Sequence, residues 1–195
     1  MSKILDQRFI FVREAGHLAL QDCQAARNER PLYVDTSAVL QELGNGPDFL
    51  KKAIEGRSKQ KKMSIVDATM GLGRDTFRLI ALGHQVAAFE RHPMIHRLIK
   101  DALESANEQV NAVFEQAGFI YQHGDSLQLL QRLAEERSID VVYMDPMYGE
   151  SKKKQTLPGK VMRLFRSVVT GAANEVDVLH LARQLANNVW LSSGL

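Results

Sequence analysis

From Ser64 onward, short apolar runs alternate with segments whose apolar residues recur at helical spacing. The strand candidates are 64–68, 85–90, 119–123, 140–145 and 188–193, and the helix candidates are 74–82, 93 toward 107, 127–135, 161–169 and 176–186. This alternation predicts an α/β fold, with a mainly parallel sheet covered by helices on both faces. Ligands of such sheets bind at the carboxyl ends of the strands, so the residues that follow each strand are the candidates for function.

The first part of the chain has a weaker pattern. It contains FIFV (9–12), LYVD (32–35) and the turn-rich GNGPD (44–48), which favour short strands and connecting segments. We expect residues 1–50 to form an N-terminal extension that packs on the core formed by 51–195. The 195 residues suit one globular domain.

The composition excludes several classes of protein. Cys23 is the single cysteine, so neither an internal disulfide nor a cysteine metal cluster is possible, and we expect a reducing, cytoplasmic location. No run approaches the roughly 18 apolar residues of a membrane span. His92 and His96 are four residues apart, but Pro93 lies between them and no carboxylate pattern accompanies them. We therefore expect no metal and no membrane partner.

A glycine-rich turn follows the first strand of the alternating region. Asp67 ends the strand, and Gly71 and Gly73 precede the next helix. Glycines let the backbone turn sharply and let a ligand approach closely. The G-x-G-x-x-G pattern of dinucleotide-binding folds is broken at Thr76, and a plain strand-to-helix turn is the alternative interpretation.

Acidic and polar residues follow the next two strands. Glu90 ends the apolar run QVAAF, where a carboxylate suits the two hydroxyls of a ribose, in NAD and adenosyl ligands alike. Asp125 and Ser126 follow the third strand and suit an adenine amino group, or a helix N-cap. Arg74, Asp75 and Arg91 flank these turns, with surface ion pairing as their alternative role.

Asp145-Pro146-Met147-Tyr148 follows the fourth strand and resembles the (Asp/Asn)-Pro-Pro-(Tyr/Phe/Trp) tetrapeptide of amino-directed methyltransferases. An exocyclic amine is a poor nucleophile because its lone pair is delocalised into the ring. The Asp145 carboxylate and the Pro146 carbonyl suit its two N–H groups, and the Tyr148 ring suits stacking on an unpaired base. A simple β-turn is the alternative for the tetrapeptide alone.

Two basic segments suit the binding of phosphates, although runs of charge are often only solvated surface. The cations that we assign to RNA are Lys51, Lys52, Arg57, Lys59, Lys61 and Lys62 in the first segment, and Lys152, Lys153 and Lys154 in the second. The formal net charge of +2 does not by itself indicate nucleic acid.

Three segments together resemble the bacterial 16S ribosomal RNA guanine-N2 methyltransferase family, small-subunit RNA methyltransferase J. They are VDATMGLGRDTFRLIALGHQVAAFERHPMI, DVVYMDPMYGESKKK and KVMRLFRSVV, and the resemblance covers roughly residues 31 to 188. It implies a Rossmann-like class I fold with residues 51–195 as the methyltransferase domain, and a 16S rRNA or 30S subunit substrate. It also implies S-adenosylmethionine contacts from Arg74, Asp75, Glu90, Arg91, Asp125, Ser126 and Asp145.

The sequence departs from this family at three places. Asp125-Ser126 stands where the family has two serines, Gly149-Glu150-Ser151 replaces Pro-His, and the sequence ends at Leu195. We expect the closing C-terminal hairpin of the family to be missing, which leaves one sheet edge open. The alternatives are an amino-methyltransferase of DNA adenine or protein glutamine, a dehydrogenase, and a non-catalytic RNA-binding module.

Overall fold

The computed structural model of the chain describes residues 8–25, 29–41, 49–55, 62–145 and 175–191. The predicted turn at 44–48 and the predicted helix at 161–169 lie outside these ranges. So do Met147 of the tetrapeptide and eight residues of the predicted site, namely Pro146, Tyr148, Arg57, Lys59, Lys61, Lys152, Lys153 and Lys154.

The described elements follow the predicted alternation. The strands are β1 (Phe9–Glu14), β2 (His17–Asp22), β3 (Ser64–Asp67), β4 (Gln85–Glu90), β5 (Ile120–His123), β6 (Ile139–Met144) and β7 (Ala186–Leu191). The helices are α1 (Thr36–Gln41), α2 (Phe49–Glu55), α3 (Arg74–Ala81), α4 (Pro93–Glu104), α5 (Glu108–Ala117), α6 (Ser126–Glu136) and α7 (Glu175–Leu185). Among the helices of these ranges, none combines the length and the apolar character that crossing a membrane requires.

Strands β3 to β7 form one sheet in the order β5-β4-β3-β6-β7, and every neighbouring pair is parallel. The chain first builds outward from β3 through β4 to β5, and then returns to the other side of β3 to place β6. The order of the strands reverses between β3 and β6. In open parallel sheets the crevice beyond the carboxyl ends of two such strands is the usual ligand site.

Helices cover both faces of this sheet, as predicted. Consecutive residues of a strand face opposite sides, so a strand that is apolar throughout packs against a helix on each side. On β4, Ala88 belongs to the apolar cluster that contains Phe77 of α3, whereas Phe89 belongs to the cluster that contains Leu130 of α6. All four side chains are at most 1% exposed. The sheet is therefore the middle layer of three.

The N-terminal hairpin of β1 and β2 packs against α4. The guanidinium carbon of Arg97 lies 4.0 Å from the ring centre of Phe11. The carboxylate of Asp101 accepts hydrogen bonds from the side chain of Arg13 and from the backbone N–H of Leu18, each at 2.7 Å. Leu20 of β2 is fully buried in the same cluster as the α3 and α4 side chains. The hairpin is thus held against α4 by both apolar and polar contacts.

The predicted strand at 32–35 was wrong. Leu32 forms only an isolated bridge with Leu20, with N–O distances of 2.7 and 2.9 Å. The strand ends there because Asp35 starts α1: its side chain accepts from the N–H of Ala38 at 3.0 Å and its carbonyl accepts from the N–H of Val39 at 3.2 Å. A helix start so close to Leu32 prevents the extended run from continuing.

Two further boundaries differ from the prediction. The helix from Pro93 ends at Glu104, and a separate α5 follows, which the sequence analysis did not predict. Asn107 caps α5 by accepting from the N–H of Val110 at 2.9 Å, and Gly118 ends it at φ +63°. The last strand is Ala186–Leu191, two residues earlier than predicted, because it starts directly after α7.

Candidate functional site

The turn between β3 and α3 is built around two glycines in the left-handed region. Gly71 has φ +56° and Gly73 has φ +80°. The N–H of Gly73 donates to the carbonyl of Met70 at 2.9 Å, and the carbonyl of Gly73 accepts from the N–H of Phe77 at 2.8 Å, which begins α3. A Cβ on Gly73 would lie 2.8 Å from both the Met70 and the Phe77 side chains, so the interior side of this turn has no room for any other residue.

Asp67 lies beneath this turn and holds it. Its side chain is 1% exposed, and its two oxygens accept from the N–H of Thr69 at 3.0 Å and from the hydroxyl of Thr76 at 2.5 Å. Burial, together with the nearby carboxylates of Asp75 and Asp145, raises the pKa of Asp67 to about 7, against the lowering effect of these two hydrogen bonds. Asp67 therefore shapes the turn from below.

Glu90 connects the end of β4 to the same turn. Its carboxylate is 8% exposed and accepts from the N–H of Gly71 at 2.9 Å and from the N–H of His92 at 2.6 Å. Burial raises its pKa to about 7, although both backbone hydrogen bonds and the charge of Arg91 oppose that shift. A carboxylate oxygen has more than one acceptor site, so Glu90 retains capacity for the hydroxyl donors of a ligand.

Asp145 follows β6 and reaches the turn from the other side. Its backbone N–H donates to the hydroxyl oxygen of Thr69 at 2.7 Å. Two residues earlier, the carbonyl of Tyr143 accepts from the N–H of Ala68 at 3.0 Å. Asp145 and Glu90 thus contact positions 69 and 71 of a single turn. The structure brings the two predicted acidic groups to one place at the carboxyl edge of the sheet.

Asp125 and Ser126 lie at the start of α6, on the β5 side of the site. Asp125 caps the helix by accepting from the N–H of Leu127 at 2.9 Å, and the hydroxyl of Ser126 donates to the carbonyl of Ala68 at 2.5 Å. The predicted cap is confirmed, and Ser126 adds a connection to the turn after β3 that was not predicted. Both residues are half-buried.

Asp75 lies in the first turn of α3 and accepts from the hydroxyl of Tyr143 at 2.5 Å. The Tyr143 ring is buried and stacks on the half-buried Trp190 of β7, with centroids 5.1 Å apart, so this carboxylate is oriented by an aromatic pair. Arg74 is exposed and Arg91 is half-buried, each directly beside the turn that the sequence predicted for it.

The described basic residues of the predicted RNA surface do not all lie near this edge. Lys51 and Lys52 are exposed on α2. Lys62 is exposed and precedes β3, so it lies at the amino edge of the sheet, where it lines an open cavity of about 450 Å³ with Arg137 and Asp140. β3 spans roughly 13 Å between that edge and the turn, so the structure does not place Lys62 beside Glu90 or Asp145.

Three contributors to the site were missed from the sequence. Thr69, Thr76 and Tyr143 form the hydrogen bonds that link the turn to Asp145, Asp67 and Asp75. In the sequence, Thr76 stands out only because it interrupts the G-x-G-x-x-G pattern. A hydroxyl within reach of the strand-ending aspartate was the available signal, since a buried carboxylate requires donors.

The chemistry of this edge is acidic and rich in hydrogen-bond acceptors. Asp67, Asp75, Glu90 and Asp145 lie around one turn, and the charges of Asp75 and Asp145 add to the effect of burial in raising the pKa of Asp67. Within the described ranges no group of three or more histidine, cysteine or carboxylate side chains has an arrangement that suits a metal ion. Such an edge suits a ligand that carries a positive charge together with hydroxyl groups.

The sequence matches the SAM_MT model, a family of SAM-dependent methyltransferases, over residues 3–190. Curated relatives named Ribosomal RNA small subunit methyltransferase J include one from Vibrio parahaemolyticus, 40% identical over 144 residues that cover 70% of this chain and 54% of the relative. A relative from Photorhabdus laumondii is 39% identical over 163 residues, 80% of this chain and 64% of the relative. The chain therefore spans about half to two thirds of the length of these relatives.

A solved structure leads to the same family. The SAM-dependent methyltransferase from Neisseria gonorrhoeae superposes with a TM-score of 0.70 at 26% identity, covering 98% of this chain and 74% of that protein. The Rossmann-like class I fold and the family resemblance that the sequence predicted are confirmed. The relatives that it resembles at about 40% identity are named Ribosomal RNA small subunit methyltransferase J, and the chain itself belongs to the SAM-dependent methyltransferase family.

Proposed function

We propose that this chain binds S-adenosylmethionine and methylates the exocyclic N2 amine of a guanine in 16S rRNA. One observation carries the proposal: Glu90 and Asp145, which follow different strands, contact positions 71 and 69 of the same turn. A cofactor subsite and an amine subsite at those two carboxylates share one edge of the sheet. The names of the curated relatives support ribosomal RNA as the substrate.

The cofactor subsite lies across the ends of β3, β4 and β5. Glu90 accepts the ribose hydroxyls, and Asp125 and Ser126 flank the adenine. Arg74, Asp75 and Arg91 contact the remaining parts of the cofactor. Gly71 and Gly73 allow close approach of the ligand to the turn, and Asp67 holds the turn from beneath. The concentration of acidic groups suits a cation such as a sulfonium.

The amine subsite is centred on Asp145. S-adenosylmethionine, when bound, would supply a methyl group that is attached to a positively charged sulfur. That sulfur would become a neutral thioether as the amine nitrogen takes the methyl group. The Asp145 carboxylate and the Pro146 carbonyl accept the two N–H groups and so orient that lone pair. The Asp145 carboxylate also attracts the proton that nitrogen loses. Tyr148 stacks on the guanine.

The basic residues Lys51, Lys52, Arg57, Lys59, Lys61 and Lys62, with Lys152, Lys153 and Lys154, bind phosphates in this proposal. Lys62 lies at the amino edge of the sheet, whereas Asp145 lies at the carboxyl edge. In this proposal the RNA therefore extends from one edge of the sheet to the other. A ribosomal RNA substrate implies a cytoplasmic location and the 16S rRNA or 30S subunit as partner.

The test is transfer of labelled methyl groups to three substrates in parallel: 30S subunits that lack the modification, duplex DNA, and a protein with a glutamine acceptor. We expect label in 16S rRNA, recovered as N2-methylguanine after nuclease digestion, and its loss in Asp145→Ala. The matched control is Glu115→Ala, an exposed carboxylate near the end of α5 and so close to the amino end of β5, which keeps full transfer. Label in DNA or protein alone, or unchanged transfer by Asp145→Ala, would overturn the proposal.

A further inference from the structure

Thr69 is the residue at which the turn after β3 meets the segment after β6. Its hydroxyl oxygen accepts from the backbone N–H of Asp145 at 2.7 Å. The side chain is half-buried. No motif singled out this threonine, because it stands between the strand-ending Asp67 and the two glycines.

The backbone on both sides of Thr69 is held in place. The N–H of Thr69 donates to the carboxylate of Asp67 at 3.0 Å, and the N–H of Met70 donates to the carbonyl of Phe89 at 3.1 Å. The carbonyl of Ala68 accepts from the hydroxyl of Ser126 at 2.5 Å. The position of the Thr69 hydroxyl is therefore set by contacts from β3, β4 and α6 together.

Asp145, in contrast, lies beyond the end of the sheet. The last paired residues of β3 and β6 are Asp67 and Tyr143, and the last pair of β6 and β7 is Met144 with Leu191. The N–H of Asp145 is the first group after that ladder, and it bonds to Thr69. The direction in which the chain leaves β6 thus depends on the turn that follows β3.

We propose that Thr69 is a positioning residue that couples the cofactor turn to the amine subsite. This inference rests on the proposed function, in which the turn carries the methyl donor and Asp145 holds the amine. Methyl transfer requires donor and acceptor about 3 to 3.5 Å apart and aligned, and a displacement of about 1 Å costs on the order of 100-fold in rate. The Thr69 hydroxyl sets that alignment without contacting the reacting atoms.

The kinetic test compares two substitutions at one position. Thr69→Val keeps the branched shape and removes the hydroxyl, whereas Thr69→Ser keeps the hydroxyl. We expect kcat to fall by about 10- to 100-fold in Thr69→Val, with cofactor affinity within about threefold of wild type, and we expect Thr69→Ser to retain most of kcat. Thr36→Val makes the same change at another buried position, the start of α1, where the next residue Ser37 contacts Asn107, and leaves both quantities unaltered.

A merely structural role for Thr69 predicts a different pattern. In that case Thr69→Val loses thermal stability and cofactor affinity together, and its kcat per folded molecule stays at the wild-type value. That result overturns the inference, as does equal loss of kcat in Thr69→Val and Thr69→Ser. If Thr69→Val does not fold, Thr69→Ala removes the same hydroxyl with less bulk beside Asp67 and decides the question in its place.

A second measurement needs no methyl transfer and therefore separates this inference from the proposed function. Amide hydrogen exchange of Asp145 reports directly on its bond to Thr69. We expect the amide of Asp145 to exchange at least about tenfold faster in Thr69→Val than in wild type or Thr69→Ser. We also expect S-adenosylhomocysteine to slow this exchange in wild type and in Thr69→Ser, but not in Thr69→Val. Equal exchange in all three proteins overturns the coupling. Absence of methyl transfer by wild type, with this pattern intact, overturns only the proposed function.

Discussion

The carboxylate of Glu90 accepts a hydrogen bond from the backbone N–H of Gly71 at 2.9 Å, so the end of β4 holds the turn that follows β3. Glu90 is 8% exposed, and its second oxygen bonds to the N–H of His92 at 2.6 Å. The group therefore has two functions in our proposal: it fixes the turn in the free protein, and it accepts hydroxyl donors from the cofactor. Both functions favour the ionised carboxylate.

The first prediction concerns the pH dependence of cofactor binding. Burial raises the pKa of Glu90 to about 7, so much of this group is protonated below that pH. Since ribose hydroxyls and a sulfonium favour the ionised form, we expect affinity for S-adenosylmethionine to rise about tenfold between pH 5.5 and pH 7. The amino group of the cofactor stays protonated over this range. Calorimetry in buffers of different ionisation enthalpy measures both the affinity and the accompanying proton release.

Glu90→Gln removes the titrating group. We expect weaker binding at pH 7, by about tenfold, and a nearly flat pH profile, because the amide cannot gain charge as pH rises. Glu115→Gln on the exposed side of α5 is the matched control and keeps the wild-type profile. A wild-type affinity that does not change from pH 5.5 to pH 7 would contradict the role of Glu90.

The second prediction concerns Asp67 and stability. The folded-state pKa of about 7 lies above the unfolded value of 3.8, so the folded protein binds the extra proton in this interval. The contribution to stability is complete below the unfolded pKa and is lost as pH rises through 7. We expect the thermal midpoint of the ligand-free protein to fall by a few degrees from pH 5 to pH 8. Asp67→Asn reduces that fall and leaves the part that Glu90 contributes, because the pKa of Glu90 is also raised to about 7, whereas the exposed Asp177→Asn leaves the whole fall in place. An unchanged slope in Asp67→Asn would contradict the titration of Asp67.

The third prediction uses two glycines with similar backbone angles. Gly73 has φ +80° and no space for a Cβ, whereas Gly83 has φ +90° with no atom within 4 Å of that position. Gly73→Ala is expected to destabilise the protein by about 2 to 4 kcal/mol, from backbone strain plus overpacking against Met70 and Phe77. Gly83→Ala suffers only the strain and loses about 1 kcal/mol. Chemical denaturation measures both, and equal losses would refute the tight packing of the turn.

The fourth prediction concerns the attachment of the N-terminal hairpin. Asp101→Ala removes the acceptor of both the Arg13 side chain and the Leu18 N–H, and leaves the latter without that partner in a half-buried position. We expect a loss of about 1 to 2 kcal/mol and faster amide exchange in β1 and β2. Glu104→Ala breaks an exposed pair with Lys100 at 3.7 Å on the same helix and alters stability by less than about 0.5 kcal/mol. Similar effects of the two variants would rule out Asp101 as the anchor.

Several features of the fold were predictable because periodicity determines them. The strands from β3 to β6 and the helices α3, α4 and α6 follow from apolar runs and amphipathic spacing, whereas α5 does not, and the end of α3 follows from Gly83. Spacing carries no information on the order of strands, so the adjacency of β3 and β6 required the structure. That adjacency is what places Asp145 beside Thr69.

Local competition between residues explains the errors. Leu32 begins an extended run of the expected composition, but the capping side chain of Asp35 starts a helix three residues later. The position of Asp67 at a strand end was predicted, but its burial was not, because the direction of that side chain depends on the hydroxyl of Thr76 nine residues away. Similarly, Asp75 and Tyr143 are 68 positions apart in the sequence, so no local pattern predicts their hydrogen bond.

The most direct test of the shared subsites is an experimental structure of this chain with S-adenosylhomocysteine. We expect the ribose hydroxyls within hydrogen-bonding distance of the Glu90 carboxylate, the adenine beside Asp125 and Ser126, and the sulfur directed along the turn toward Asp145. A ligand bound at the amino edge of the sheet near Lys62 and Arg137, or one whose sulfur faces away from Asp145, would contradict the proposal.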